Sequence, residues 1–127
     1  MQEKLLFEYA VIRVVPRVER QEFFNVGVIM YCAAANFLQT KYELNEKKLS
    51  AFCEAIDIDD LQKRLHVFEQ ICLADKTAGP IAALPSSARF RWLTAVRSTI
   101  VQSSPVHPGF SDDLTKTLGK LFQSLVQ

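Results

Sequence analysis

The feature that most constrains the fold is a series of three strand-like segments within the first 44 residues. Each is rich in β-branched and aromatic side chains, which favour strands. The three segments span residues 5–15, 23–32 and 37–44. Pro16 ends the first one, because proline cannot donate a hydrogen bond to a sheet. The links between the segments suit hairpins and are too short for the crossover that parallel strands need, so the sequence predicts an antiparallel meander.

The hydrophobic period changes from strand-like to helical after the third segment. Apolar residues then recur on one face of each of three predicted helices, the second capped by Asp57 or Asp59 and the last by Ser111 or Asp112. The stripes are Leu49, Phe52, Cys53 and Ile56; then Ile58, Leu61, Leu65, Phe68 and Cys72; then Leu114, Leu118, Leu121, Phe122 and Leu125. Residues 89–96 fit a helix or a strand equally well, and 98–102 fit a fourth strand.

This order of elements predicts one α+β domain over residues 1–127. Its core is a mostly antiparallel β-meander sheet of three to four strands, with helices packed on one face. A length of 127 residues and an apolar fraction of 49 % are ordinary for a single globular domain with a substantial core.

The overall charge is close to neutral, but the arginines are clustered. A net charge of +1 makes nucleic acid an unlikely partner and gives no attraction to a membrane surface. No segment approaches the roughly 20 apolar residues that a membrane span needs.

Three widely spaced cysteines indicate buried free thiols in a reducing compartment. The beginning of the chain is too polar for a signal peptide, so we expect a cytoplasmic protein.

Motifs for common chemistry are absent from the sequence. The pair His66 and Glu69 falls short of the four converging ligands of a structural zinc site. His107 lies near several serines, but there is no GxSxG turn to expose a nucleophile. The four glycines are isolated, which excludes a glycine-rich phosphate loop. We therefore predict no catalytic residue, no metal and no cofactor, and we favour a non-enzymatic role.

The arginines are the strongest candidates for a binding site. Arginine on an apolar strand must be paired or must line a cleft, since an unpaired buried charge is costly. The segment RFRW could hold phosphate between two guanidiniums and stack a base on its rings, or it could be purely structural. The candidate cleft comprises Arg13, Glu22, Asn25, Arg89, Arg91, Arg97 and His107. Within it, Arg13 and Glu22 could form a structural ion pair, and Asn25 could hold the loop between the first two strands.

Gly27 stands alone within the second predicted strand. Glycine inside a strand marks a bulge or a close approach by another group.

Two motifs, Y-x-x-x-R-x-x-P from Tyr9 and E-F-x-N-V-G-V from Glu22, occur together in this chain. With RFRWLTAVRSTIVQSSPVHPGF, they make it resemble a bacterial family known as domain of unknown function 3037, from about Tyr9 to Val126. The family's motif positions fall on Tyr9, Arg13, Pro16, Glu22, Asn25, Gly27, Arg89, Phe90, Leu93, Arg97, His107 and Gly109. The resemblance implies no activity. It implies an accessory role, because genes of the family often lie beside genes for kinases like the HipA toxin.

Two functions from different classes follow from these observations. The first is an accessory or regulatory module that binds a protein partner, with a HipA-like kinase and a second copy of the chain as candidates. The second is an enzyme or sensor that binds a phosphate-bearing small molecule or a nucleic acid end through the arginine-lined cleft. In the second function four arginines would hold the anion and His107 would act as a general acid or base, which requires these five residues to converge in one cleft. The arginines are Arg13, Arg89, Arg91 and Arg97.

Overall fold

A computed structural model of the chain describes residues 4–17, 22–52, 57–95 and 100–127. The strands are β1 (Leu5–Arg17), β2 (Glu22–Cys32), β3 (Phe37–Tyr42), β4 (Val101–Ser103) and β5 (His107–Ser111). The helices are α1 (Glu46–Phe52), α2 (Ile58–Cys72), α3 (Ser86–Leu93) and α4 (Leu114–Leu125). Two short 3-10 helices, Lys76–Ala78 and Pro80–Ala83, connect α2 to α3. No helix in these ranges is long and apolar enough to cross a membrane.

The five strands form one antiparallel sheet with β1 at its centre. The order is β3-β2-β1-β4, and β5 pairs with the same edge of β1 as β4, further towards the beginning of the chain. The hairpins β1–β2 and β2–β3 confirm the predicted meander. The predicted fourth strand is present as β4. The fifth strand, β5, arises from a segment that reads as a loop because it contains Pro108 and Gly109.

A bulge interrupts the pairing of β1 with β2 in the middle of the sheet. Ile12 lies opposite Gly27, whereas the next residue, Arg13, lies opposite Asn25. Val26 is therefore the extra residue of β2. A Cβ atom on Gly27 would lie 2.7 Å from Cβ of Tyr42 and 2.8 Å from the carbonyl oxygen of Lys41. Gly27 thus has both roles considered for it, next to a bulge and in close contact with a neighbouring strand.

Two apolar clusters pack on opposite faces of the sheet, because successive residues of a strand point to alternate sides. Ala10, Ile12 and Val14 of β1 belong to the cluster that contains the apolar faces of α2 and α3. Phe7 belongs to the other cluster, which contains the apolar face of α4. The α+β fold is thus confirmed. It differs in detail from the expectation, since α4 covers the face opposite α2 and α3 instead of sharing theirs.

Side-chain caps define the beginnings of α2 and α4. Asp57 Oδ1 accepts a hydrogen bond from the Asp60 amide at 3.1 Å, as predicted for α2. Asp113, one residue beyond the predicted cap, accepts from the Lys116 amide at 3.1 Å and begins α4. The undecided segment 89–96 contains the second half of α3, so the RFRW residues lie on a helix. Cys53 and Ile56, assigned to the first helix, lie outside the described residues.

Candidate functional site

Arg13 and Asn25 are the members of the predicted cleft that the sheet brings together. They lie opposite each other on β1 and β2, beside the bulge, so their side chains share one face. That face is the one covered by α4, because Arg13 has the same strand parity as Phe7. The guanidinium carbon of Arg13 lies 4.1 Å from the ring centroid of Phe23, a distance that gives a cation–π contact.

Asn25 attaches the end of α4 to the sheet. Its Nδ2 donates a hydrogen bond to the carbonyl oxygen of Leu125 at 3.1 Å. The described contact of the Asn25 side chain is thus with α4, and the loop that Asn25 was predicted to hold, residues 18–21, lies outside the described residues. Asn25 Oδ1 and Arg13 Nε are both buried and have no hydrogen-bond partner among the described residues.

Glu22 is the first residue of β2 and lies opposite Arg17. Its side chain falls outside the described part of the chain. The proposed ion pair with Arg13 therefore stays a prediction, and Arg97 likewise lies outside the described residues.

Arg89 is buried and its donors are used inside the protein. Nη1 donates to the carbonyl oxygens of Ile71 at 2.8 Å and Cys72 at 2.7 Å, and Nε donates to the carbonyl oxygen of Leu84 at 2.9 Å. The first two carbonyls belong to the last turn of α2, where a helix lacks internal partners and attracts a positive charge. Arg89 thus caps α2 and joins it to α3.

The thiol of Cys72 lies in the same buried environment. Burial raises its pKa to about 12, although the nearby guanidinium of Arg89 acts in the opposite direction. The prediction of buried free thiols is confirmed for Cys72 and Cys32. A protonated, enclosed thiol is a poor nucleophile, so Cys72 is a packing residue.

Arg91 and His107 lie apart from Arg13. Arg91 is exposed on α3, which packs on the face of the sheet opposite Arg13. His107 is exposed at the start of β5 and lies opposite Tyr9, with ring centroids 5.5 Å apart. Tyr9 and Arg13 are four residues apart on β1, or roughly 13 Å along the strand. Among the described residues, the structure therefore does not bring Arg13, Arg91 and His107 into one cleft.

A cavity of about 340 Å³, with both polar and apolar walls, adjoins Asn25 at the end of α4. Lys48 and Glu43 contribute opposite charges to its wall. Glu43 accepts a hydrogen bond from Gln127 at 3.0 Å, and the Lys48 ammonium lies 5.4 Å from the ring centroid of Phe24. Both charged groups thus already have neighbours within the protein.

An apolar groove lies on the other face of the molecule, between α2, the end of α3 and β4. Its volume is about 360 Å³. Val67 and Trp92 contribute large apolar surfaces to it, with 43 % and 38 % of their areas exposed. The lining residues are Lys63, Arg64, Val67, Phe68, Ile71, Trp92, Leu93, Ala95, Val101, Gln102 and Ser103.

This groove was not predicted from the sequence. Trp92 was considered only as a partner of the RFRW arginines. Val67 lies beside the core-facing stripe of α2 and was not assigned a role. An apolar residue next to a complete stripe is the signal that could have indicated a second contact surface on the helix.

The described residues contain no cluster of three or more His, Cys, Asp or Glu side chains that could hold a metal ion. The groove presents apolar surface, and Arg13 and Asn25 present a buried donor and a buried acceptor without a hydrogen-bond partner among the described residues.

A family model described as "Protein of unknown function (DUF3037)" matches residues 9–126. Comparisons with curated proteins and with solved structures gave no match.

Proposed function

This chain belongs to the DUF3037 family, and from that membership we propose that it is a non-enzymatic accessory module that binds a protein partner through the apolar groove. The partner that the family resemblance suggests is a kinase like HipA. The proposal includes action in the bacterial cytoplasm, where the three cysteines would remain reduced.

The observation that carries the proposal is the exposed apolar lining of the groove. Trp92 and Val67 are large side chains that remain more than a third exposed. Tryptophan in a desolvated pocket is the residue type that most often dominates the free energy of a protein interface. Concentrated apolar surface of this kind marks interaction sites on soluble proteins.

The placement of the arginines supports the same reading. The phosphate-binding alternative needs several guanidiniums around one anion. Arg89 donates to three backbone carbonyls, and Arg91 lies across the sheet from Arg13. Among the described members of the cleft, Arg13 and Asn25 are the two that lie directly opposite each other, and His107 lies opposite Tyr9, roughly 13 Å further along β1.

Co-expression of the chain with a kinase like HipA tests the proposal. We expect the two proteins to co-purify, and we expect Trp92→Ala to weaken the complex at least tenfold. Phe110→Ala is the matched control, because Phe110 is 68 % exposed on β5, which does not line the groove. The proposal fails if no complex forms, or if both variants bind as tightly as the parent. Light scattering on the same samples would reveal a homodimer.

A second candidate function rests on Arg13. Its buried Nε has no partner among the described residues, and its guanidinium lies against Phe23, so a small anion could complete its hydrogen bonds. Phosphate, pyrophosphate or a nucleotide at 100 times its dissociation constant should stabilise the fold by roughly 2.7 kcal/mol. The shift should vanish in Arg13→Ala and persist in Arg91→Ala. Equal shifts in both variants, or none in the parent, would exclude this site.

A further inference from the structure

We infer that the groove receives a short amphipathic helix of the partner, one that carries carboxylates beside its apolar anchors. This inference rests on the proposed function and specifies the chemistry of the partner. Three properties of the groove support it: the positive charge of its rim, its length along α2 and its mostly apolar wall.

The charge at the rim of the groove is positive. Lys63 and Arg64 are its charged lining residues, and none of the described residues that line it is Asp or Glu. Asp60 partly neutralises Arg64 through an ion pair of 2.8 Å. Lys63 is exposed and has no ion-pair partner among the described residues. An acidic partner would therefore gain electrostatic complementarity, which favours fast and specific association.

The length of the groove suits about two turns of helix. Its α2 wall extends from Lys63 to Ile71, a rise of about 12 Å along the helix axis. An amphipathic helix of that length presents apolar residues at positions i, i+3 or i+4, and i+7 to such a groove.

The scarcity of polar groups in the groove favours a helix over an extended segment. An extended chain would need partners for its backbone N–H and C=O groups, whereas a helix satisfies most of them internally. The wall of the groove is mostly apolar, and the hydroxyl of Ser103 already donates to the carbonyl oxygen of Ser104 at 2.8 Å.

A displayed library of random helical peptides, selected on the purified full chain, tests the inference. Counter-selection on Trp92→Ala isolates the peptides that bind the groove. We expect these peptides to contain at least twice as many Asp and Glu residues as the unselected library, together with apolar residues at helical spacing. The emission of Trp92, which is the single tryptophan of the chain, should shift when each peptide binds.

The outcomes separate the inference from the proposed function. Trp92-dependent peptides with neutral or basic composition would overturn the acidic helix and leave a protein-binding groove. A selection that yields no Trp92-dependent peptide would overturn both.

Charge reversal provides the matched comparison. Lys63→Glu should weaken the binding of the acidic peptides at least tenfold. Peptides in which Lys replaces Glu should bind this variant more tightly than they bind the parent. Lys120→Glu makes the same change on α4, which does not line the groove, and should leave both affinities within twofold. Equal weakening by the two reversals would show a general effect of net charge and would contradict the inference.

Discussion

Arg89 lies between two helices and donates three hydrogen bonds to backbone carbonyls. Its nearest arginine in sequence, Arg91, is exposed on the same helix. The two residues have the same chemistry, but only Arg89 faces the end of α2, so one serves the fold and the other remains in solvent.

Replacing Arg89 with lysine should lower the free energy of unfolding by about 2 kcal/mol. Hydrogen bonds from a charged donor contribute roughly 1.5–3 kcal/mol each, and an ammonium lacks the planar fork that reaches separate carbonyls. Urea unfolding measures the change. Arg91→Lys is the control and should stay within about 0.5 kcal/mol of the parent, as surface substitutions do. If the two variants lose equal stability, Arg89 does not cap α2.

The sequence could not distinguish these two arginines. RFRW places them two positions apart, and its pattern is compatible with a phosphate site, a stacked base or structural roles. The distinction depends on whether a carbonyl of α2, 17 or 18 residues earlier, lies within reach. Contacts between such distant positions arise from tertiary packing, which local periodicity does not encode.

At the scale of elements, glycine has opposite effects in β2 and α4. A side chain on Gly27 would collide with Tyr42 and the backbone of Lys41, whereas a Cβ on Gly119 would meet nothing within 4 Å. The first glycine is required by the close approach of β3, and the second is an ordinary weakness in a helix.

Alanine at these two positions should therefore change stability in opposite directions. Gly27→Ala should destabilise the protein by about 1–3 kcal/mol, because overpacking forces the strands apart. Gly119→Ala should stabilise it by up to about 1 kcal/mol through helix propensity. Thermal unfolding of both variants measures the difference in sign. A stabilising effect of Gly27→Ala would show that β3 does not approach β2 as closely as described.

The elements themselves were largely predictable. The three first strands and the stripes of α2 and α4 follow from hydrophobic period, which is strong in long segments. β5 was missed because Pro108 and Gly109 are typical of loops, yet Gly109 is needed there: a Cβ would lie 2.5 Å from Phe7. An edge strand tolerates proline, so turn-like composition concealed a real strand.

At the scale of the whole molecule, β1 joins two cores. Its alternating residues belong to the cluster of α2 and α3 on one side and to that of α4 on the other. The segment LLFEYAVIRVV has apolar residues at alternate positions of both kinds, so both faces of β1 are apolar, but this pattern does not show which helix covers which face. That choice depends on the path of the connections. The prediction that all the helices pack on one face did not take this path into account.

Because the two cores share β1, the molecule should unfold in one cooperative step. Leu118→Ala, in the α4 cluster, should lower the free energy of unfolding by about 2–5 kcal/mol. It should shift the urea midpoint of Trp92 emission, which reports the opposite face, as far as that of far-ultraviolet circular dichroism. Leu65→Ala, in the other cluster, should behave in the same way. Separate midpoints for the two signals would show that the layers unfold independently.

The position of β1 in the chain also determines the order of events on the ribosome. Of the five strands β1 is synthesised first, and β1, β2 and β3 can form their meander at once, but the strands that pair with the other edge of β1 begin at Val101 and His107. The side chains of Phe7, Val28 and Met30 remain uncovered for longer still, because α4, which packs on them, begins only at Leu114. At about 5–20 residues per second, a nascent sheet with one bare edge and one bare face persists for several seconds. During that interval the unpaired edge and the uncovered apolar face are the features that favour aggregation of the nascent chain.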